Sequence, residues 1–424
     1  MNILMMTNTY FPQVGGVSRS VKEFSDEYRK LGHKVLIIAP TYEDAPEKED
    51  DVIRVAAIQN FNGTDFSVIL PVPHLLSSQL DEFRPDVVHS HHPFLIGSTA
   101  VRVARQYNIP LVTTHHTKFE DYMHYIPVEI YHAKEFVVNL ATGYENLCDC
   151  VIAPSSGIAD SLRQRGVDSP IEIIPTGVRF EEFSKGSGTG FRKKHKIKKT
   201  QFVIGHVGRL EKEKNIEFLI QSVAEYLKKD KNIIFMVVGE GSYEDTIKEH
   251  FKSEGLSERL LLTGSLQGKE LVNAYRAMDV FAFSSKSETQ GMVLYESMAA
   301  GTPVIAIKAT GVSDVLDDGE NGYLVEDEQT EDFVEALSKY FSLSKEEKSR
   351  MRKNAKETAK KNSMNNCANR ILGVYEKLVN KKEFRHKEDD ALWQRAMEQI
   401  KAEWDMLSNV VKSAGSVLIS EDTE

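Results

Sequence analysis

The chain contains two series of short apolar runs, and each run is followed by turn residues and a stretch with helical spacing. The first series reads NILMMT, KVLIIAP, PDVVHS, PLVTTHH and CVIAPS. The second begins after residue 200 and reads QFVIGHVG, NIIFMVVGEG, RLLLTGS, DVFAFSS, TPVIAI and GYLVE. Apolar strands that alternate with helices are typical of parallel sheets covered by helices on both faces. The pattern predicts an α/β protein with two doubly wound, Rossmann-like domains.

We place these domains at 1–178 and 200–363. In open parallel sheets, ligands bind beyond the carboxyl ends of the strands. With two such domains, the expected active site is a cleft in which the two carboxyl edges face each other. A length of 424 residues, of which 41% are apolar, is sufficient for two separate cores.

Composition narrows the classes of function. A formal net charge of −10 argues against a dedicated nucleic-acid-binding protein, because such affinity comes from basic surface. No apolar run reaches the length of a membrane span, and the first residues lack the features of a signal peptide. Cys148, Cys150 and Cys367 are too few for a disulfide framework, so we expect buried thiols in a reduced, cytoplasmic protein.

Two segments lie outside the two series of runs. Residues 184–200, SKGSGTGFRKKHKIKKT, are rich in glycine, serine and basic residues. The glycine and serine content indicates a hinge or exposed connection. Their basic part suits a solvated face or contact with an anionic membrane. A helix near 363–380 is expected to close the second domain or to cross back and complete the first.

The C-terminal extension, 381–424, is predicted to be helical. Its apolar residues recur at spacings of three and four: Trp393, Met397, Ile400, Trp404, Leu407 and Val411. We expect the 385–415 helix to dock onto the protein or to form a homo-oligomer, and a membrane-surface helix is the alternative. The extension carries seven Lys/Arg against ten Asp/Glu, which weakens the membrane alternative.

Glycines and a basic pair mark the starts of the two domains. Gly15 and Gly16 stand between the first strand and the first helix, where a backbone can approach an anion closely. A tight turn explains them equally well. Arg209 and Lys214 follow the first strand of the second domain and suit a diphosphate, although a surface charge cluster has the same pattern.

The segment 284–306, SSKSETQGMVLYESMAAGTPVIA, offers a carboxylate, a helix start and a second carboxylate in that order. Glu288 is predicted in the loop after a strand, and Gly291 and Met292 at the N-terminus of a helix with unpaired N–H groups. Glu296 falls about one turn into that helix. Carboxylates accept from sugar hydroxyls and the helix start suits phosphate, so a nucleotide sugar fits. A capped, solvated helix is the alternative interpretation.

These motifs resemble the retaining glycosyltransferases of family 4, which have the GT-B fold. The resemblance covers Met1 to about Asn380 and is carried by YFPQVGGV, DVVHSHHP, TTHHT, IIPTGV, VGRLEKEKN, VVGEG and SETQGMVLYESMAAGTPVIA. Thr176 replaces the asparagine that the family usually has in its I-P-N-G-V-D motif. The resemblance implies hexose transfer from a nucleotide sugar, with UDP-glucose as the suggested donor.

The resemblance also assigns roles in the second domain. Glu288 and Glu296 match the paired glutamates of the E-x7-E motif, the first near the transferred sugar and the second on the ribose. Backbone amides of Gly291, Met292 and Val293 would bind sugar and phosphate. Arg209 and Lys214 match the basic pair on the donor diphosphate, whose negative charge rises as the sugar leaves.

In the first domain, Gly16, after Gly15, matches the glycine that approaches the phosphate. His116 matches the histidine beside the sugar's 6-hydroxyl, and His115 is the weaker candidate. No D-x-D follows an apolar strand, so no obligatory metal or other cofactor is expected.

The acceptor is inferred from one stretch. TTHHTKFEDYMHYIP is similar to the corresponding part of bacterial diacylglycerol glucosyltransferases, with His115 and Phe119 in place of two tyrosines. The acceptor-side candidates are Lys118, Tyr122, His124 and Tyr125. The resemblance implies a lipid acceptor reached by peripheral contact with the inner face of the plasma membrane. A soluble or polysaccharide acceptor, or a non-catalytic nucleotide-sugar-binding protein, are the alternatives.

Overall fold

The computed structural model describes residues 1–13, 15–42, 44–46, 49–58, 68–69, 76–117, 133–381, 384 and 398. The chain divides into two compact units. The first comprises residues 1–153, 159–174 and the chain from Arg370 onward, and the second comprises 154–158 and 175–369.

The first unit is built on seven parallel strands. They are β1 (Asn2–Met6), β2 (Lys34–Pro40), β3 (Val52–Val55), β6 (Val87–Ser90), β7 (Leu111–Thr114), β8 (Cys150–Ala153) and β9 (Ile171–Ile173). Their order in the sheet is β3-β2-β1-β6-β7-β8-β9, so the direction of winding reverses between β1 and β6. Two short antiparallel strands, β4 (Ala57–Ile58) and β5 (Val68–Ile69), form a separate ribbon.

Helices alternate with these strands. They are α1 (Gly16–Lys30), α2 (Ser77–Phe83), α3 (Ile96–Tyr107), α4 (Ala133–Leu147) and α5 (Ser156–Gln164). The last helix of the described residues is α14 (Met364–Val379). α1 shows why these segments are helical: Val21, Phe24 and Tyr28 recur every three or four residues and are buried.

The second unit contains six parallel strands. They are β10 (Phe202–Val207), β11 (Ile233–Val238), β12 (Leu260–Leu262), β13 (Val280–Phe283), β14 (Val304–Ile307) and β15 (Gly322–Val325). Their order, β12-β11-β10-β13-β14-β15, places the reversal between β10 and β13. The helices are α6 (Phe180–Phe183), α7 (Gly188–Lys194), α8 (Ile216–Leu227), α9 (Glu244–Ser253), α10 (Gly268–Ala277), α11 (Met292–Ala299), α12 (Thr330–Ser342) and α13 (Lys345–Lys361).

The second sheet is buried on both faces. Along β11, Met236 and Val238 belong to the core on one face, whereas Phe235 and Val237 belong to the core on the other. Successive strand residues point to opposite faces, so a strand covered on both sides must be apolar throughout. This requirement produces the continuous apolar runs and confirms the prediction of doubly wound domains.

All eleven apolar runs form strands, and the structure adds β3 and β9 at the edges of the first sheet. Residues 188–194 of the expected connection form α7, which belongs to the second unit. Its Phe191 is buried, and Arg192 donates to Asp279 Oδ2 at 2.6 Å. α14 passes from the second unit to the first, with the division between Asn369 and Arg370. Within the described ranges, no helix is long and apolar enough to cross a membrane.

Candidate active site

The second sheet places two loops side by side. β10 and β13 are neighbours at the point where the strand order reverses. In open sheets of this kind, ligands bind at that point, beyond the carboxyl ends of the strands. The loop after β10 runs through a 3₁₀ turn, Lys212–Lys214, into α8. The loop after β13 runs from Ser284 to Gly291 and leads into α11.

Lys214 and Glu288 meet between these loops. The Lys214 Nζ donates to Glu288 Oε1 at 2.6 Å, and the two side chains are only 17% and 20% exposed. Ser285 Oγ donates to the same carboxylate oxygen at 3.0 Å. The sequence predicted both residues in the site but not that they pair, because they are far apart in the chain.

Serine hydroxyls tie the two loops together. Ser284 Oγ donates to the backbone carbonyls of Lys214 and Asn215, each at 3.0 Å. Ser287 Oγ donates to the carbonyl of Glu213 at 3.2 Å. Hydrogen bonds of this kind fix the backbone on which the charged side chains stand, so the site is arranged before a ligand arrives. The cluster of serines around Lys286 was the available sequence signal.

Arg209 lies apart from this pair. Its side chain is 61% exposed, and Nη2 donates to Glu213 Oε1 at 2.9 Å. The structure therefore does not bring Arg209 and Lys214 onto a common partner. An exposed ion pair contributes little stability, so exchanging Glu213 for a ligand phosphate costs little.

The helix that begins at Met292 carries the remaining predicted residues. Gly291 caps α11 with φ +71°, and a Cβ there would lie 2.9 Å from the Leu294 side chain. A residue other than glycine would therefore be strained at this position. Glu296 is buried, and Tyr275 Oη on α10 donates to its Oε2 at 2.9 Å. Sequence reasoning missed Tyr275.

In the first unit, Gly15 and Gly16 start α1. Both lie on the surface, and a Cβ on Gly16 would meet nothing within 4 Å. Neither glycine has a positive φ. The backbone there is open to approach, and its conformation alone does not require glycine.

Two consecutive histidines after β7 have different environments. His115 is buried, and its Nδ1 lies 2.6 Å from Glu145 Oε1. His116 is half-buried, and its Nε2 lies 2.9 Å from His91 Nδ1. His116 is therefore more accessible than His115, which is held in the interior.

His91 was also missed, although it stands in HSHHP directly after β6. Its ring is buried, and its Nε2 has no hydrogen-bond partner among the described residues. Burial and the neighbouring histidines hold the pKa of His91 and of His116 well below the usual value. Both rings are neutral at pH 7, so one of the two bonded nitrogens carries the hydrogen and the other accepts it.

The acceptor-side candidates Lys118, Tyr122, His124 and Tyr125, and the 385–415 helix, lie outside the described residues. The three cysteines are buried, as predicted. In the portions of the chain that the structure describes, no group of three His, Cys, Asp or Glu residues is arranged to hold a metal ion.

Comparisons with known proteins identify the family of this chain. Residues 14–182 match the family described as Glycosyltransferase Family 4, and residues 189–358 match Glycosyl transferases group 1. The alpha-monoglucosyldiacylglycerol synthase of Streptococcus pneumoniae is 32% identical over 72% of this chain and 71% of its own. The chain belongs to glycosyltransferase family 4.

This family 4 glycosyltransferase is also similar to the alpha-monoglucosyldiacylglycerol synthase of Acholeplasma laidlawii. The two are 30% identical over 76% of this chain and 84% of the relative. Among solved structures, Anabaena Alr3699/HepE in complex with UDP superposes with a TM-score of 0.72 at 18% identity, covering 89% of this chain and all of that one. The predictions of the family and of two Rossmann-like domains of the GT-B class are confirmed.

The glycosyltransferase should lose stability below pH 6.5, in part through His206 on β10. Burial lowers the pKa of His206 to about 4, and its Nδ1 lies 3.1 Å from the carbonyl of Ala282. The unfolded chain therefore binds a proton at a higher pH than the folded one, and stability falls from pH 6.5 towards 4 by roughly 1.4 kcal/mol per pH unit. We expect the thermal midpoint of His206→Gln to depend less steeply on pH than that of the wild type between pH 5 and 6.5. An unchanged slope would contradict a neutral buried His206.

Proposed function

We propose that this glycosyltransferase moves a hexose, with retention of anomeric configuration, from a nucleotide sugar to a lipid acceptor. UDP-glucose is the proposed donor and diacylglycerol the proposed acceptor. The reaction needs no metal ion in this proposal.

The pairing of Lys214 with Glu288 is the observation that carries the proposal. It joins a cation to a carboxylate at 2.6 Å, at the reversal of strand order and next to the start of α11. Lys214 supplies a compact positive charge for a phosphate, and Glu288 supplies an acceptor for sugar hydroxyls. A ligand with phosphate and hydroxyl groups side by side satisfies both.

Departure of the sugar builds negative charge on the diphosphate. Lys214, the exposed Arg209 and the unpaired N–H groups of residues 291–293 are the positive groups available to stabilise that charge. Lys214 is held in place before the reaction by its bond to Glu288, so little reorganisation is needed when the charge develops.

Glu288 acts as a clamp on the sugar in this proposal. Its Oε1 already accepts from Lys214 and from Ser285. These two bonds hold the carboxylate in place, and the proposal assigns it no nucleophilic role. We propose instead that the acceptor hydroxyl attacks from the face that the diphosphate leaves, with the leaving phosphate taking the proton.

The acceptor proposal rests on the relatives. Two of them are named alpha-monoglucosyldiacylglycerol synthases. Their products are glycolipids by name. The stretch TTHHTKFEDYMHYIP is similar to the corresponding part of diacylglycerol glucosyltransferases. We propose that the protein works on the inner face of the membrane from the cytoplasmic side.

A donor and acceptor screen tests the proposal. Purified protein is incubated with UDP-glucose, UDP-galactose or GDP-mannose and with diacylglycerol in mixed vesicles, in the presence of EDTA. We expect a glycolipid with an α-linkage, visible by NMR, from UDP-glucose. Product with a soluble sugar in the absence of vesicles would overturn the lipid acceptor, and loss of product in EDTA would overturn the metal-free chemistry. No product with any donor would overturn the transferase activity itself.

Tyr275→Phe should weaken donor binding without unfolding the protein. The change removes the hydroxyl that holds Glu296, the proposed ribose clamp, at 2.9 Å. A hydrogen bond to a charged group contributes about 1.5–3 kcal/mol, so the donor Kd should rise roughly 10- to 100-fold. Calorimetric titration with UDP measures this. Tyr340→Phe is the control, because that buried hydroxyl donates to the backbone of Asp279 instead. Equal losses in both variants would contradict a specific role for Tyr275.

A further inference from the structure

The side-chain amide of Gln290 binds both backbone groups of a residue 114 positions earlier. The N–H of Thr176 donates to Gln290 Oε1 at 2.7 Å, and Gln290 Nε2 donates to the carbonyl of Thr176 at 2.6 Å. Both residues lie in the second unit and are buried, with 5% and 6% exposure. The side-chain amide of Gln290 thus satisfies both the N–H and the carbonyl of Thr176.

The partner segment is itself fixed. Residues 174–178 are all buried, and they enter the second unit directly after β9. Val178 exchanges backbone hydrogen bonds with the chain at α14, accepting from the Met364 N–H at 2.8 Å and donating to Asn362 at 3.0 Å. A Cβ on Gly177 would lie 2.3 Å from the Met364 backbone, so the two backbones are in close contact. Gln290 is therefore bonded to an anchored segment, residues 174–178.

Two further contacts hold the same point of the loop. Ser155 Oγ donates to the carbonyl of Thr289 at 2.7 Å. Gly311, with φ +79°, lies so close that a Cβ there would be 2.8 Å from the backbone nitrogen of Gln290. The loop after β13 is thus held at 289–290, between Glu288 on one side and Gly291 on the other.

We infer that Gln290 is a positioning residue for the proposed transfer reaction. Both polar atoms of its side chain are engaged by the backbone of Thr176. Its two hydrogen bonds set the backbone from which the Glu288 carboxylate and the amides at the start of α11 project. Both groups must face one donor at once, so a shift of this backbone separates the sugar clamp from the phosphate site. The inference rests on the function proposed above.

The charge of the isosteric variant Gln290→Glu makes the inference testable. An ionised carboxylate can accept from the Thr176 N–H but presents a second acceptor to the Thr176 carbonyl, which is repulsive. The protonated acid restores one acceptor and one donor, as in the amide. Burial beside a carbonyl raises the pH at which this acid ionises. Ionisable groups on the surrounding elements include Glu288 with Lys214, and Asp314, which accepts from Ser156.

The experiment compares Gln290→Glu, Gln290→Met and the wild type from pH 8 to pH 6, each rate divided by the wild-type rate at that pH. At pH 8 we expect kcat to fall about 10- to 100-fold in both variants. Towards pH 6 the relative kcat of Gln290→Glu should recover, whereas that of Gln290→Met, which cannot form either bond, should stay low. Gln221→Glu, on the exposed surface of α8, controls for the added charge and should match the wild type throughout.

A second readout does not depend on turnover. Amide hydrogen exchange of residues 284–294 should accelerate in Gln290→Met and, at pH 8, in Gln290→Glu, with circular dichroism confirming that both variants are folded. Wild-type kinetics in both variants, or a Gln290→Glu defect that is the same at pH 6 and 8, would overturn the positioning role. An inactive wild type would overturn the proposed function, and the exchange data would then still decide whether Gln290 fixes the loop.

Discussion

Replacing Lys214 by alanine should lower kcat/KM by about 10²- to 10³-fold, the loss typical of removing one group that stabilises developing negative charge. Two effects combine in this variant. In the proposed reaction the leaving diphosphate loses a cation that the structure holds in place, and Glu288 loses one of its two donors, the one at 2.6 Å. Initial rates at varied donor concentration measure the change.

Lys212→Ala is the matched control, because Lys212 belongs to the same 3₁₀ turn but its side chain is exposed. It should stay within about twofold of the wild type, as expected for an exposed charge. Similar losses in both variants would show that the net charge of the turn, and not the pairing with Glu288, supports the reaction.

Glu288→Gln keeps the shape of the side chain and should also be strongly impaired. Because Lys214 and Glu288 are paired, the double variant Lys214→Ala with Glu288→Gln should lose less activity than the product of the two single losses.

Gly239→Ala should reduce the free energy of unfolding of the second unit by roughly 2–5 kcal/mol, through backbone strain and overpacking together. Gly239 follows β11 with φ +140°, and a Cβ there would lie 1.9 Å from the carbonyl oxygen of Gly208. That carbonyl belongs to the backbone directly before Arg209, so it cannot move without disturbing the loop after β10. Urea unfolding followed by circular dichroism measures the loss.

Gly373→Ala should have the opposite effect on the free energy of unfolding. Gly373 lies inside α14, has no positive φ, and a Cβ there would meet nothing within 4 Å. Alanine at this position should stabilise the protein by about 0.5–1 kcal/mol.

If Gly239→Ala unfolded at the same urea concentration as the wild type, the close approach of Gly239 to Gly208 would be wrong.

The strands of both sheets were predictable because burial on two faces leaves a strong signal. β11 is apolar at all six positions, and each of the eleven apolar runs named above forms a strand. β3 and β9 were not predictable in this way. They are edge strands with partly exposed residues, such as Arg54 and Glu172, and their apolar pattern is weaker.

The candidate site was predictable in its members but not in its contacts. The motif around Glu288 and the basic residues near Lys214 are visible as sequence. Their pairing depends on β10 and β13 being neighbours, although two strands intervene in the chain. Tyr275 lies in no motif, and His91, although part of DVVHSHHP, had no role assigned to it. Both become relevant through their distances to Glu296 and His116.

The sequence by itself determined the class of fold, the number of domains and the family, because alternating apolar runs and local motifs depend on short stretches of chain. Tertiary structure alone decided which charged and polar groups meet. Lys214 pairs with Glu288 while Arg209 pairs with Glu213, and Gln290 binds the backbone of Thr176. Such partners lie up to 114 residues apart. The two long-range pairs, Lys214 with Glu288 and Gln290 with Thr176, are selected by sheet order and by the need of buried polar groups for hydrogen bonds, which no local pattern encodes.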